Sequence, residues 1–315
     1  MGQEPAGRDQ EALTVAALDL GSNTLKLTVA DVAPGAPLSV RFEDAIISRI
    51  GEGLDQHGHL QDAAIERTMI ALHRLRSAAQ AHGATLIRCV GTAGLRGADN
   101  AAAFLSRVRS ETGIEVEIID GLREAELAFR APSETFGPGP ILAIDLGGRS
   151  TELIAGRRGR IDARVSLEVG SVRLTERCLP SDPPTDAELD RARADFRALL
   201  GSAPEASPGA ALVGVSGTVV ALLGLQEGIE DAAEIAGLAE RHLLRRDDVA
   251  GFFEVFRRLR ARDRIRGTII PEGRADVIVA GMLIVLELFR HYGAETMRVT
   301  GRGVRYGLLH EIGDR

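Results

Sequence analysis

The chain has 315 residues, 44% of them hydrophobic and 26% charged, a balance that fits one large or two ordinary soluble domains. The net charge of −7 disfavours broad nucleic-acid binding, and a chain with no Trp and two Tyr lacks an aromatic platform on which bases stack. Residues 1–12 are polar with no apolar signal core, and the longest apolar run, residues 277–289, is broken by Glu287 and too short to span a bilayer, so a cytoplasmic protein without membrane contact is expected.

Residues 1–12 read as a disordered tail. Residues 15–31 read as a hairpin around Gly21-Ser22-Asn23. Apolar residues run into Asp19, and the small-residue turn that follows leaves successive N–H groups open, a shape that makes a concave anion site. Residues 40–50 read as a strand and 51–60 as a loop. His57 and His59 near Asp55 have no further ligand at useful spacing, so a solvated turn is the better reading than a metal cluster. A helix over 62–82 places Ile65, Met69, Leu72 and Leu75 at helical spacing. A strand over 85–90 enters the loop from Gly91 to Arg96, and Cys89 within it reads as a small buried hydrophobe. A helix to Gly113 and a strand over 114–119 follow, and a further helix opens at Asp120. Glu124 and Glu126 are two apart and cannot share a helix face, so at most one of them meets a common site. Residues 132–140 are rich in Pro and Gly and read as a linker.

The second half opens with apolar residues ending at Asp145, then Gly147-Gly148-Arg149-Ser150, then Thr151-Glu152-Leu153. Alone, this stretch is also an ordinary β-hairpin. Aligning Asp145 with Asp19 superposes Asp-Leu-Gly and a polar turn. An internal repeat so far apart suggests two similar domains, each giving one phosphate-binding turn to a shared cleft. An acid at each strand end is well placed to hold a cation beside the phosphate, and Mg²⁺ is commonly held by one or two carboxylates and substrate phosphates. Helices begin at Ser171 and Asp186. A strand over 211–215 leads into Ser216-Gly217-Thr218, which is either a plain strand-to-helix turn or a ligand loop. Six arginines between Arg257 and Arg266 read as a solvated helix face or as a polyanion track. Residues 277–289 read as a buried helix, and a last strand passes through a Gly-rich turn from Gly301 to Gly307 into a C-terminal helix.

In combination, Asp19-Leu20-Gly21-Ser22-Asn23, Gly91-Thr92 through Arg96, Glu124-Ala125, Asp145-Leu146-Gly147-Gly148 through Glu152-Leu153, Ser216-Gly217-Thr218, Arg274-Ala275-Asp276 and Gly301 through Gly307 are specific. Over residues 14–312 the sequence resembles the exopolyphosphatase / guanosine pentaphosphate phosphohydrolase (Ppx/GppA phosphatase) family in a short two-domain form. That resemblance implies an α/β fold of two ribonuclease-H-like domains, as in the actin, sugar kinase and heat-shock ATPase superfamily, with an interdomain cleft. The domains are expected over 13–130 and 131–315, with the final helix able to pack back on the first.

The implied function is a hydrolase that releases terminal phosphate from inorganic polyphosphate, guanosine pentaphosphate or both. The alternative is a non-catalytic sensor that binds guanosine tetra- or pentaphosphate or polyphosphate. The resemblance makes Glu124 the general base that activates water. Asp145, Asp19 and Glu152 would serve Mg²⁺ or Mn²⁺. Gly21, Ser22, Asn23, Thr92, Arg96, Gly147, Gly148, Arg149, Ser150, Ser216, Gly217 and Thr218 would hold phosphate. Neither specific nucleic-acid binding nor a membrane partner is implied, and a homodimer stays open. The chain has Arg123, Arg149 and Tyr306 where family members commonly have Glu, Gly and Glu. An arginine at 149 that pointed inward would fork a phosphate and make a slow enzyme.

Overall fold

The computed structural model describes residues 12–235 and 238–314; apart from Ala12, the tail expected over residues 1–12 lies outside them. Strand β1 (Leu13–Leu20) is buried on both faces after its first two residues, so its sequence is a near-continuous apolar run without strict alternation. It pairs antiparallel with β2 (Thr24–Val32), which pairs antiparallel with β3 (Ser39–Ile47). The expected loop over 51–60 carries one helical turn, α1 (Leu54–His57). After α2 (Asp62–Ala81), β4 (Leu86–Gly91) adds parallel to β1; after α3 (Ala101–Thr112), β5 (Val116–Ile118) adds parallel to β4. The strand order is β3-β2-β1-β4-β5. Leu72 and Leu75 of α2 and Phe104 and Val108 of α3 cover one face, against Leu18, Leu25 and Leu27.

Helix α4 (Gly121–Thr135) leads to the second sheet. There β6 (Pro140–Leu146), β7 (Thr151–Arg157) and β8 (Arg160–Leu167) repeat the antiparallel start. Helices α5 (Ser171–Cys178) and α6 (Asp186–Leu199) come next, and Thr185 and Glu188 cap α6 reciprocally. Strand β9 (Ala211–Val215) lies parallel to β6 and is followed by α7 (Gly217–Gln226) and α8 (Ala232–Ile235). Strand β10 (Leu243–Arg245) is an antiparallel edge, reached before α9 (Arg246–Phe256) and α10 (Ile278–His291). Strand β11 (Thr296–Thr300) lies parallel to β9, and α11 (Val304–Gly313) ends the fold. The order β8-β7-β6-β9-β11 repeats the first sheet, and the fold class is the expected α/β pair of mixed sheets.

Helix α4 lies between the sheets. Leu127 and Ala128 pack with Val15 and Ala17 of β1 and with Leu308 and Leu309 of α11. Ala125 and Phe129, four apart and so on one face, pack with Ile141, Ala143, Ile154 and Val213 of the second sheet. Arg123 donates to both oxygens of Glu311 at 2.5 and 2.7 Å and fastens α4 to α11.

Two expectations are corrected. Residues 132–135 are helix rather than linker: Pro132 is buried inside α4 with Ala128 and Ala131, and this packing outweighs the cost of a proline in a helix. The arginine run is neither a helix face nor a free cationic track. Helix α9 ends at Phe256; Arg257 and Arg258 pair with Glu254, and Arg262 and Arg266 with Asp263. Arg264 is buried and donates to the carbonyls of Phe256, Leu259 and Ala275.

The contact between α4 and α11 depends on Gly307, where a Cβ would stand 2.3 Å from the carbonyl oxygen of Leu127 and 2.7 Å from its Cα. Gly307→Ala is expected to destabilise the protein by about 1–3 kcal/mol through overpacking, read as a lower urea midpoint at unchanged slope.

Candidate active site

Both hairpin turns, the start of α4 and the start of α7 meet at one cavity of about 60 Å³, room for a few water-sized groups. Asp19 ends β1 and Asp145 ends β6, and both line it. Glu124 enters from the first turn of α4, which Asp120 caps by accepting a hydrogen bond from the Arg123 N–H at 2.7 Å. Of the two glutamates, Glu124 faces the cavity, while Glu126 is held outside it by Arg123 at 3.2 Å and Arg164 at 2.8 Å.

Gly21, Ser22, Asn23, Thr92, Gly147, Gly148, Ser150, Gly217 and Thr218 also line the cavity. The Gly147 N–H is used within its own turn, on the Ser150 carbonyl at 3.0 Å. The N–H groups of Gly148, Arg149 and Ser150 donate to no described residue, and neither do those of Ser22 and Asn23. Gly217 and Thr218 open α7, and the first N–H groups of a helix, with its dipole, suit an anion.

Four expected residues stand elsewhere. Ser216 is the N-cap of α7, where its hydroxyl accepts from the Val219 N–H at 3.3 Å. Arg96 lies behind Glu124, to which it donates at 3.0 Å, and it also donates to the Ile119 carbonyl at 2.9 Å. Glu152 is fully buried behind the cavity and accepts from the Ser166 hydroxyl at 2.8 Å.

Arg149 is the clearest correction. Its side chain is 0% exposed and turns away from the cavity, toward the other half of the protein. It donates to the Gly51 carbonyl at 3.0 Å and to Glu176 at 3.3 Å, and it pairs with Asp55. Arg173 joins Asp55 at 3.1 Å, and Glu176 accepts from the Gly53 N–H at 2.9 Å. Two acids and a carbonyl converge on the guanidinium, a stronger environment than an open turn. Among the described residues Arg49 is the non-glycine with positive φ, so Arg149 takes the place of a glycine without left-handed strain. The result is an ionic clasp between the loop before α1 and the turn after β6.

The site also holds residues that sequence reasoning did not select. Lys26 stands opposite Asp19 in the β1–β2 register, as Glu152 stands opposite Asp145 in β6–β7. The repeat itself contained that signal, since counting seven residues on from each aspartate reaches both. Arg274 lines the cavity from a short turn and reaches Thr24 at 3.4 Å and Thr218 at 3.5 Å, with no carboxylate partner among the described residues. Arg274-Ala275-Asp276 is one of the motifs that carry the family resemblance, but nothing in the local sequence placed its guanidinium in the cavity.

Burial dominates the electrostatics. It raises Glu124 to about 8, against the pull of Arg96 and with reinforcement from Asp145 and Asp19. It raises Asp145 to about 7 despite Lys26, also raises Asp19, and raises Glu152 well above the usual carboxylate range. Asp19 Oδ1, Asn23 Oδ1 and Glu152 Oε2 are buried with no hydrogen-bond partner among the described residues. Buried oxygens without donors, in a cluster of acids that repel one another, are chemically suited to a cation. Among the described residues no group of three or more His, Cys, Asp or Glu is arranged to hold a metal by itself, and His57 and His59 form only a tilted ring pair.

A sequence model of the Ppx/GppA phosphatase family matches residues 28–315. The chain is 37% identical to "Exopolyphosphatase 2" of Mycobacterium tuberculosis over 298 residues, covering 89% of this chain and 91% of that protein. It is 30% identical to the "Guanosine-5'-triphosphate,3'-diphosphate pyrophosphatase" of Photobacterium profundum over 305 residues, covering 94% of this chain and 59% of that protein. The crystal structure of the Aquifex aeolicus Ppx/GppA family member superposes with a TM-score of 0.78 at 28% identity, over 95% of this chain and 97% of that one.

The raised acids set a pH dependence. In the unfolded chain Glu124 and Asp145 lose their protons near pH 4, whereas the fold keeps them bound up to about 8 and 7. The folded state therefore holds more protons across this window, and stability falls as pH rises through it. Thermal unfolding in chelator should show a lower Tm at pH 8 than at pH 5.5, and Glu124→Gln with Asp145→Asn should flatten that slope. A Tm that rises with pH in the parent would contradict the burial of these acids. For the clasp, Arg149→Ala is expected to cost about 3 kcal/mol in urea unfolding, the low end for breaking a buried ion pair because Asp55 is 37% exposed.

Proposed function

The chain belongs to the Ppx/GppA phosphatase family and is a phosphoanhydride hydrolase, and on that premise we propose that it removes terminal phosphate from inorganic polyphosphate, guanosine pentaphosphate or both. Polyphosphate is the leading substrate, since likeness to the exopolyphosphatase is higher and spans nearly all of that protein. The observation that carries the reading is Glu124: a buried carboxylate raised to about 8 at the wall of a cavity lined by open N–H groups. A base poised near neutral pH suits proton removal from water.

In the proposed mechanism the turns at Ser22–Asn23 and Gly148–Ser150 and the start of α7 hold the terminal phosphoryl group through backbone N–H groups. Arg274 sits on its oxygens as a cation with no competing carboxylate. Glu124 takes a proton from the attacking water, whose oxygen bonds to phosphorus while the phosphorus–bridging-oxygen bond breaks. Arg96 holds Glu124 on its bearing. Asp145 and Asp19, backed by Glu152, would hold Mg²⁺ or Mn²⁺. With so few protein ligands, a cation recruited together with substrate phosphates fits better than one caged by the chain. When bound, that ion neutralises charge on the phosphoryl oxygens.

A cytoplasmic setting is in keeping with Cys89 and Cys178, which are both free and buried, and no described helix is long and apolar enough to cross a membrane.

Phosphate release from polyphosphate and guanosine pentaphosphate in Mg²⁺ tests the reading. Glu124→Gln keeps shape but loses the proton acceptor, and should lower turnover by about 10²–10⁴ while sparing ligand affinity. Unchanged turnover would move the base elsewhere.

A further inference from the structure

Arg49, just after β3, has a φ of 55°, in the left-handed region that residues other than glycine seldom enter. Two sets of contacts hold it there. Its own N–H and that of Ser48 donate to the Asn23 carbonyl, each at 3.1 Å, which ties this bend to the first phosphate turn. Its guanidinium crosses to the other half of the protein. There it donates to both oxygens of Asp276 at 2.5 and 2.8 Å and to the Gly273 carbonyl at 2.9 Å. A glycine would ease the bend and make none of these side-chain bonds.

Gly273 and Asp276 flank Arg274, which lines the cavity although Arg49 does not. The Arg274 guanidinium has only loose side-chain contacts, with Thr24 of the first half at 3.4 Å and Thr218 of the second at 3.5 Å. Contacts of that length fix little direction. Its bearing therefore comes from its backbone, which is gripped on both sides. Arg49 holds the carbonyl of Gly273, just before it, and Arg264 holds that of Ala275, just after it, at 2.8 Å. Gly273 is also seated on β3, since a Cβ there would stand 2.7 Å from the Ile47 side chain, and Ile47 is the register partner of Thr24. Gly217 leaves room for the guanidinium itself, which a Cβ at that position would overlap.

Stability is a poor account of the Arg49 contact. Arg49 and Asp276 are 27% and 41% exposed, where an ion pair adds little to folding. A bidentate fork adds direction. A strained bend kept for a partly exposed pair fits the placing of a neighbour better than the holding of the fold.

We propose that Arg49 is a positioning residue for the reaction. By holding Gly273 and Asp276 from the other half of the protein, it sets where the Arg274 guanidinium meets the terminal phosphoryl group. This rests on the function proposed above. Arg49 touches no reacting atom and acts through Arg274. Because the brace spans the two halves, Arg274 is in place only while the halves are together.

A double-mutant cycle decides it, with kcat/KM for polyphosphate as the readout. Arg49→Asn removes the fork and leaves a residue that tolerates the left-handed bend. It should lower kcat/KM by about 10–10², the cost of a misplaced group, at nearly the parent's urea midpoint. Arg274→Ala should lower it by about 10²–10³. In the Arg274→Ala background, Arg49→Asn should cost less than about twofold, because nothing remains to position. An unchanged value in Arg49→Asn, or equal costs in the two backgrounds, would overturn the proposal, since an arginine that merely supports the fold acts whether or not Arg274 is present. No loss in Arg274→Ala would overturn it too, while phosphate release by the parent would leave the function standing. Should the parent release no phosphate, that function fails, and crystal structures of the parent and Arg49→Asn decide the positioning. An Arg274 guanidinium displaced from Thr24 and Thr218 supports it, and an unmoved one overturns it.

Discussion

Helix α4 is held by two sheets at once, and the geometry of the cavity depends on that double contact. Ala125 and Phe129 belong to the core of the second sheet, while Leu127 and Ala128 belong to the layer shared with β1 and α11. Glu124 is one residue before the first of these anchors. Its distance from Asp19 is set by one packing surface and its distance from Asp145 by the other. Any slip of one half past the other would move the carboxylate. The pair between Arg123 and Glu311 and the close seat of Gly307 on Leu127 resist such a slip. A buried proline inside this helix is tolerable for the same reason, since the packing it joins is worth more than the hydrogen bond it lacks.

What packing gains, the site partly gives back. Asp19, Glu124 and Glu152 are buried and Asp145 is half-buried; Asp145 and Asp19 raise the proton affinity of Glu124, Asp19 raises that of Asp145, and Glu124 and Asp145 raise that of Glu152. A fold selected for stability alone would not gather four acids around so small a space. Perturbed groups of this kind cluster where a ligand of complementary charge completes the balance. The same cavity holds Arg274 without a carboxylate partner among the described residues. Acids that suit a cation and a guanidinium that suits an anion stand side by side, the arrangement a metal–phosphate pair would satisfy.

Much of this was readable from local pattern. The hairpin repeat marked both sheets because apolar runs that end at Asp-Leu-Gly are short-range signals. The helices at 62–81, 101–112 and 278–291 followed from apolar spacing and glycine stops. What was missed depended on tertiary contact. Pro132 looked like a breaker because its burial was invisible. Arg149 looked like a phosphate ligand because its neighbours in sequence line the cavity, while Asp55 and Glu176, which capture it, are far along the chain. Arg274 stood in a motif of the resemblance without an assigned role, and only the fold brings it to the cavity. Lys26 differs, because the repeat pointed to it.

The clasp between Arg149 and Asp55 also bears on how binding constants should be read. It joins the two halves beside a cavity of about 60 Å³. Where only a fraction of molecules can take a ligand, the measured affinity is the intrinsic affinity multiplied by that fraction. A substitution in the clasp that alters the spacing of the halves acts on that fraction, although neither Arg149 nor Asp55 lines the cavity. A change in affinity at such a position reports on the population of competent molecules rather than on recognition.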